Sequence, residues 1–221
     1  MSNSERVHVE LCKGASGLDK VVLRDRGSSA EVYLYGGHVT SWKNEHGEEL
    51  LFVSSKAIFK PPKAIRGGIP ICFPQFSNHG PLEPHGFARN RFWSIDIDPP
   101  PFPTQSSSKA FIDLILKPSE EDLKIWPHSF EFRLRVTLGP GGDLMLTSRI
   151  RNTNTDGKVF TFTFAYHTYF SVSDIRLIVM VCPLIFLNYE VNFLFPSLSK
   201  CHQGYVGFRN GLDDLGKDSS R

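Results

Sequence analysis

SFEFRLRVTLGPGGDLMLTSRI, residues 129–150, decides the fold class. Within it Phe130, Phe132, Leu134, Val136 and Leu138 alternate with Glu131, Arg133, Arg135 and Thr137. A repeat of two puts the apolar set on one face and the polar set on the other, which is the pattern of a half-buried strand. Gly139-Pro140-Gly141-Gly142 reads as a turn, and Leu144, Leu146, Ser148 and Ile150 resume the alternation beyond it. The stretch therefore predicts an antiparallel hairpin.

The same texture extends to both sides. Asn152 to Gly157 predicts a turn into a further strand over Val159 to Tyr166, and Ala110 to Leu116 alternates upstream. Between them PSEEDL, residues 118–123, is the one credible helical turn, with Ser119 capping its acidic start. Phe92 to Ile97 alternates until Pro99-Pro100-Pro101, which lack ladder donors, and the Pro/Ser-rich stretch to Lys109 reads as a surface loop. Ala30, Val32 and Leu34 oppose Glu31, Tyr33 and Tyr35, Gly36-Gly37 closes that strand, and residues 44–49 turn toward the apolar run Leu50 to Val53. Successive strands joined by Gly, Pro and Asn turns, with almost no helix, predict an all-β fold, an antiparallel β-sandwich.

A chain of 221 residues is long enough for one such domain. From Arg176 the texture changes to a run with neither alternation nor helical spacing, followed by a polar, Gly-dotted end, so we divide the chain into residues 1–175 and a tail, 176–221, of unassigned structure. The apolar stretch Leu177 to Leu198 is broken by Pro183, Asn188, Glu190, Asn192 and Pro196, which argues against a membrane span. Lys+Arg 25 against Asp+Glu 23 leaves a net charge of +2 with no basic run longer than a pair, which argues against a nucleic-acid partner and for a small or weakly charged one. Cys12, Cys72, Cys182 and Cys201 lack CxxC spacing and read as reduced thiols, and Met1 to Leu23 lacks the apolar core of a signal peptide; both point to the cytosol.

Three stretches carry candidate chemistry. In Ile65 to Phe76, Arg66 stands beside two glycines and two prolines; the loop suits a phosphate clamp, or else Arg66 packs its stem on a turn and pairs at the surface. His85 and Arg89 lie four residues apart after Gly80-Pro81, where an imidazole can serve a sugar oxygen and a guanidinium can join Arg66 on a phosphate, or where both are simply solvated. His167 stands in an aromatic strand whose rings would exclude water, which suits an acid/base residue working near neutrality as well as a hydrogen-bonded core residue. No second His or Cys stands at zinc-ligand spacing on the same segment.

Taken together and in this order, RGGIPICFPQF (66–76), HGFARNRFW (85–93) and FAYHTYFSVSDI (164–175) resemble the glucose-6-phosphate 1-epimerase branch of the aldose 1-epimerase family. The resemblance implies a galactose mutarotase-like β-sandwich that interconverts the anomers of a hexose 6-phosphate with no metal or organic cofactor, as a monomer. It implies that His167 protonates the ring oxygen, that Arg66 and Arg89 bind the phosphate, and that His85 supports the sugar oxygens. Two departures stand out. Pro84 replaces a Gln that relatives use on the substrate, and the family's later Asp and its Glu base find no counterpart: Glu190, Asp213 and Asp214 sit in no matching motif. On this reading the tail is a foreign ending, the sandwich is C-terminally truncated and catalysis is impaired. The alternatives are a non-catalytic sugar-phosphate binder and an inactive truncated product.

Overall fold

The computed structural model describes residues 8–101, 110–139 and 141–172, together with the backbone of 206–208. The first sheet is built from β1 (His8–Lys13), β2 (Asp19–Asp25), β3 (Ser28–Tyr33) and β4 (His38–Lys43), in that order and all antiparallel. Neither β1 nor β2 is among the expected strands, although Val9 and Leu11 of β1 do alternate with His8 and Glu10. In β2, Val21, Val22 and Leu23 are consecutive and all buried, because the strand lies between β1 and β3 and is covered on both faces. β1 leaves Val9 and Leu11 exposed at the sheet's edge. The β2–β3 turn is the two residues Arg26 and Gly27, with φ of 46° and 84°. Positive φ at both central positions gives the turn a twist that matches the strands it joins.

After β5 (Ile71–Cys72), the second four-stranded sheet comprises β6 (Ser94–Ile95), β7 (Ala110–Leu116), β8 (Phe130–Leu138) and β9 (Leu144–Asn152). The hairpin expected from residues 129–150 is present, in register from Phe130 opposite Asn152 to Leu138 opposite Leu144. Phe130, Phe132, Leu134, Val136 and Leu138 are at most 1% exposed. On the other face Arg133 pairs with Asp96 at 2.7 Å, and Arg135 makes a bidentate pair with Asp113 at 2.7 and 2.8 Å. The helical turn is α1 (Glu120–Ile125), closed by a capping box in which Ser119 and Asp122 satisfy each other's backbone N–H.

Two expected strands prove shorter. The run Phe92 to Ile97 keeps ladder pairing only at Ser94–Ile95, because the chain changes sheets there: Trp93 donates its N–H to Leu34 O of the first sheet, while Asp96 donates to Asp113 O of the second. The run Val159 to Tyr166 narrows to β10 (Ala165–Tyr166), followed by β11 (Thr168–Phe170). Its partner is β5, flanked by Pro70 and Pro74. Prolines accept but cannot donate, so Thr163 N–H to Pro74 O and His167 N–H to Pro70 O are one-sided bonds at the two ends of the ladder. The stretch 66–76, expected as a loop, is thus a ribbon through the core with Ile69, Ile71, Cys72 and Phe73 buried. Phe73 stacks edge-on with Trp126, Phe130, Phe132 and Phe162 at 5.1–5.7 Å between centroids. β12 (Val206–Phe208) lies parallel beside β11.

The inner faces of the two large sheets, with this ribbon and Phe164 to Tyr166, form one apolar core, so the fold is an antiparallel β-sandwich. Leu177 to Leu198, Cys182, Cys201, Glu190, Asp213 and Asp214 lie outside the described residues. No helix among the described residues is long and apolar enough to cross a membrane.

Candidate active site

Arg66 is presented by a tight double-glycine turn. Gly67 and Gly68 have φ of 102° and 62°, and a Cβ on either would lie 2.4 Å from Phe52 O or 2.2 Å from Val39 O. Only glycine admits that approach. Arg66 O accepts from Ser54 N–H at 3.2 Å and Gly68 N–H donates to Phe52 O at 2.7 Å, which fixes the turn. The Arg66 side chain is exposed and makes no ion pair with a described residue. The alternative of a surface-paired Arg66 is therefore not what the described residues form.

Arg89 stands on a 3-10 turn, Ala88–Asn90, fastened on both sides. Ala88 N–H donates to Phe73 O at 3.1 Å, and Trp93 Nε1–H donates to Ala88 O at 3.1 Å. Two residues on, Arg91 is clamped by the buried Asp122 of α1 at 2.6 and 2.8 Å. The Arg89 guanidinium donates through Nη2 to Pro84 O at 2.7 Å. Its Nε is buried with no partner among the described residues, and burial holds its pKa below the usual value. Pro84 supplies no side-chain amide to a ligand, but its carbonyl aims Arg89.

His85 and His167 meet edge to face, 5.4 Å between centroids. His85 adopts φ 71°, an unfavourable conformation for a residue with a Cβ, which the Ser77 and Phe73 segments hold in place. Ser77 N–H donates to His85 Nδ1 at 3.2 Å, so the ring proton of neutral His85 is on Nε2. Cys72 Sγ lies 3.4 Å from the same nitrogen, and burial pushes that thiol up to about 12, which keeps it protonated. Desolvation, then the Arg89 and His167 charges, lower His85 to about 4. Desolvation, with Arg89 adding to it, also holds His167 below the ordinary imidazole value. His167 Nδ1 is buried without a geometrically sound hydrogen-bond partner among the described residues.

Arg66 and Arg89 open on one cleft of about 790 Å³, whose wall also includes Lys56, Lys63, Asn90 and Tyr169. Tyr169 connects this wall to the histidines, its ring 4.8 Å from that of His167. Four cations and no described carboxylate line the cleft, so its chemistry is that of an anion site beside a pair of imidazoles. The sequence reading missed Lys56, Lys63, Asn90 and Tyr169, whose spacing carries no signal until the chain is folded. No cluster of His, Cys, Asp and Glu among the described residues is arranged to hold a metal.

The sandwich is of the galactose mutarotase type: it superimposes on a galactose mutarotase-like protein from Clostridium acetobutylicum with a TM-score of 0.53 at 19% identity, over 67% of this chain and 50% of that one, a likeness of fold alone. The chain belongs to the aldose 1-epimerase family, which its residues 19–181 match. It is 78% identical over 167 residues to a Cenchrus ciliaris protein named "Putative glucose-6-phosphate 1-epimerase", covering 75% of this chain and 51% of that protein. It is 36% identical over 163 residues to an Escherichia coli protein of the same name, covering 72% and 50%. The chain spans about half the length of the relatives it matches.

Proposed function

We propose that this chain provides the phosphate grip and the acid of a glucose-6-phosphate 1-epimerase, an isomerase acting on the anomeric carbon of a hexose 6-phosphate. The observation that carries the reading is the cleft itself: Arg66 and Arg89, 23 positions apart in a chain of +2 net charge, share a cavity wall with Lys56 and Lys63 and with no described carboxylate. A dianionic phosphate complements that positive wall, which a neutral sugar does not. The names of the relatives support the same substrate. Residues 1–175 are the unit to which this reading applies; the family match covers residues 19–181.

In this reading His167 gives its proton to the ring oxygen O5 as the C1–O5 bond breaks, and a base takes the proton of the C1 hydroxyl, leaving an open-chain aldehyde. Rotation about C1–C2 and the reverse transfers close the other anomer. His85, with its proton on Nε2, donates to a sugar oxygen. Arg89 lowers the proton affinity of both imidazoles. A phosphate on Arg89 cancels that repulsion, so the bound substrate itself raises the proton affinity of His167. No residue of this chain is assigned as that base: Glu190, Asp213 and Asp214 sit in no matching motif and lie outside the described residues, so turnover is expected to be impaired.

Thermal melting with millimolar glucose 6-phosphate or glucose tests the grip, because a ligand that binds only the folded chain raises its midpoint. The expected result is a shift with the phosphosugar and none with glucose. Equal shifts, or none, exclude the arginine grip. A coupled anomerisation assay on the same sample measures turnover.

A further inference from the structure

Among the buried groups that the proposed reaction leaves unused, His38 has the most unusual surroundings. It is 0% exposed, and its Nε2 lies 2.7 Å from the carbonyl oxygen of Gly67, the residue after Arg66. A carbonyl only accepts, so the imidazole is the donor, through Nε2–H. Nδ1 is then left as an acceptor, and it is buried with no partner among the described residues. A leucine or methionine would fill this volume without that cost, so something other than packing favours the imidazole.

The position of His38 suggests what that is. Gly36 and Gly37, with φ of 85° and 57°, lead the chain into His38 at the start of β4. A Cβ on Gly36 would stand 2.8 Å from the carbonyl oxygen of Arg89 and 3.4 Å from His38 Cβ. A Cβ on Gly68 would stand 3.1 Å from His38 Nε2. The short turn 36–38 is therefore wedged between the backbone that carries Arg89 and the backbone that carries Arg66. We infer that His38 is a positioning residue for the anion grip: its Nε2–H bond to Gly67 O fixes the Arg66 turn against the Arg89 turn, so that both guanidinium groups face one phosphate. Desolvation lowers the His38 imidazole to about 4, and although the Gly67 bond opposes this, Arg89 adds to it, so the ring stays a neutral donor at physiological pH. The inference rests on the phosphate reading for its consequence, and on geometry alone for the hydrogen bond.

The experiment uses the full chain in three forms. Wild type is compared with His38→Gln, whose side-chain amide can place an N–H where Nε2 stands, and with His38→Leu, which keeps bulk and loses the donor. Amide hydrogen exchange of Gly68, which needs no ligand, is read beside calorimetric titration with glucose 6-phosphate. We expect Gly68 exchange to accelerate by about tenfold or more in His38→Leu and to remain within about threefold of wild type in His38→Gln. Glucose 6-phosphate affinity should fall and recover in the same pattern. A purely space-filling role predicts that Leu serves as well as Gln, and Gly68 exchange equally slow in both variants overturns the proposal. If wild type binds no glucose 6-phosphate, the phosphate reading fails while the exchange data still decide the positioning role. Should His38→Leu give no cooperative melt, the wild-type long-range proton–nitrogen spectrum decides: a slowly exchanging Nε2–H on His38 supports the proposal, and the Nδ1–H tautomer overturns it.

Discussion

Replacing Arg89 by Gln removes one positive charge at the place where both parts of the site depend on it. The guanidinium faces the cleft and lowers the proton affinity of His85, His167 and the buried His38. A hydrogen bond to a charged group contributes about 1.5–3 kcal/mol, so losing one phosphate contact lowers glucose 6-phosphate affinity by roughly 10- to 150-fold. The same change favours the imidazolium form of each of the three histidines. Each then titrates at higher pH than in wild type, yet below 6.5, because desolvation, the first cause in every case, remains. The stability consequence has a definite sign. In wild type His38 and His85 bind fewer protons folded than unfolded between about 4 and 6.5, so stability is full above that window and is lost as the pH falls through it, and the lowered His167 acts in the same direction. In Arg89→Gln that loss is shallower. Histidine-detected NMR titration and chemical denaturation at pH 7, 6 and 5 read both effects. Unchanged histidine titrations in a folded Arg89→Gln protein would refute the electrostatic coupling, and unchanged phosphosugar affinity would refute the grip.

Asp122→Ala breaks the clamp on the half-buried Arg91 and the capping box together, and the lost charged hydrogen bonds imply about 1.5–3 kcal/mol, measurable by urea denaturation. Burial by itself would raise the Asp122 carboxyl, but the hydrogen bonds from Arg91 and Ser119 outweigh it and hold the group below the usual carboxylate value. Its contribution is therefore present above pH 4 and lost as pH falls through the lowered value, so wild type and Asp122→Ala should converge in stability in acid. Phe73→Ala empties the centre of an aromatic cluster with no exposed surface and should cost about 3–5 kcal/mol in the same assay; a cost below about 1 kcal/mol would mean that the ribbon does not run through the core. Lys63→Ala, at the cleft wall, should slow glucose 6-phosphate association most at low salt and little at high salt, as stopped-flow kinetics would show.

The sequence by itself determined the sandwich. Phe130 to Leu138 alternates so regularly because one face lies in the core while Glu131, Arg133 and Arg135 line the other, and that asymmetry is written residue by residue. It also located PSEEDL as the capped turn, and it singled out Arg66, His85, Arg89 and His167 from three short stretches. β2 stayed illegible because a strand covered on both faces loses its alternation, and Val159 to Tyr166 was overread because alternation reports burial rather than pairing. The proline-limited ladder of β5 depends on which strand lies beside it, which a local pattern does not state. Only the tertiary structure decided that Arg66 and Arg89 share a cleft, that Lys56 and Lys63 join them without a described carboxylate, and that His38 sits beneath the turn that carries Arg66. The physical reason is that charge, burial and hydrogen-bond partners at a site are properties of neighbours in space. Those neighbours come from β4, from the ribbon at 66–76 and from the turn at 88–90, brought together by a core whose own signal is local.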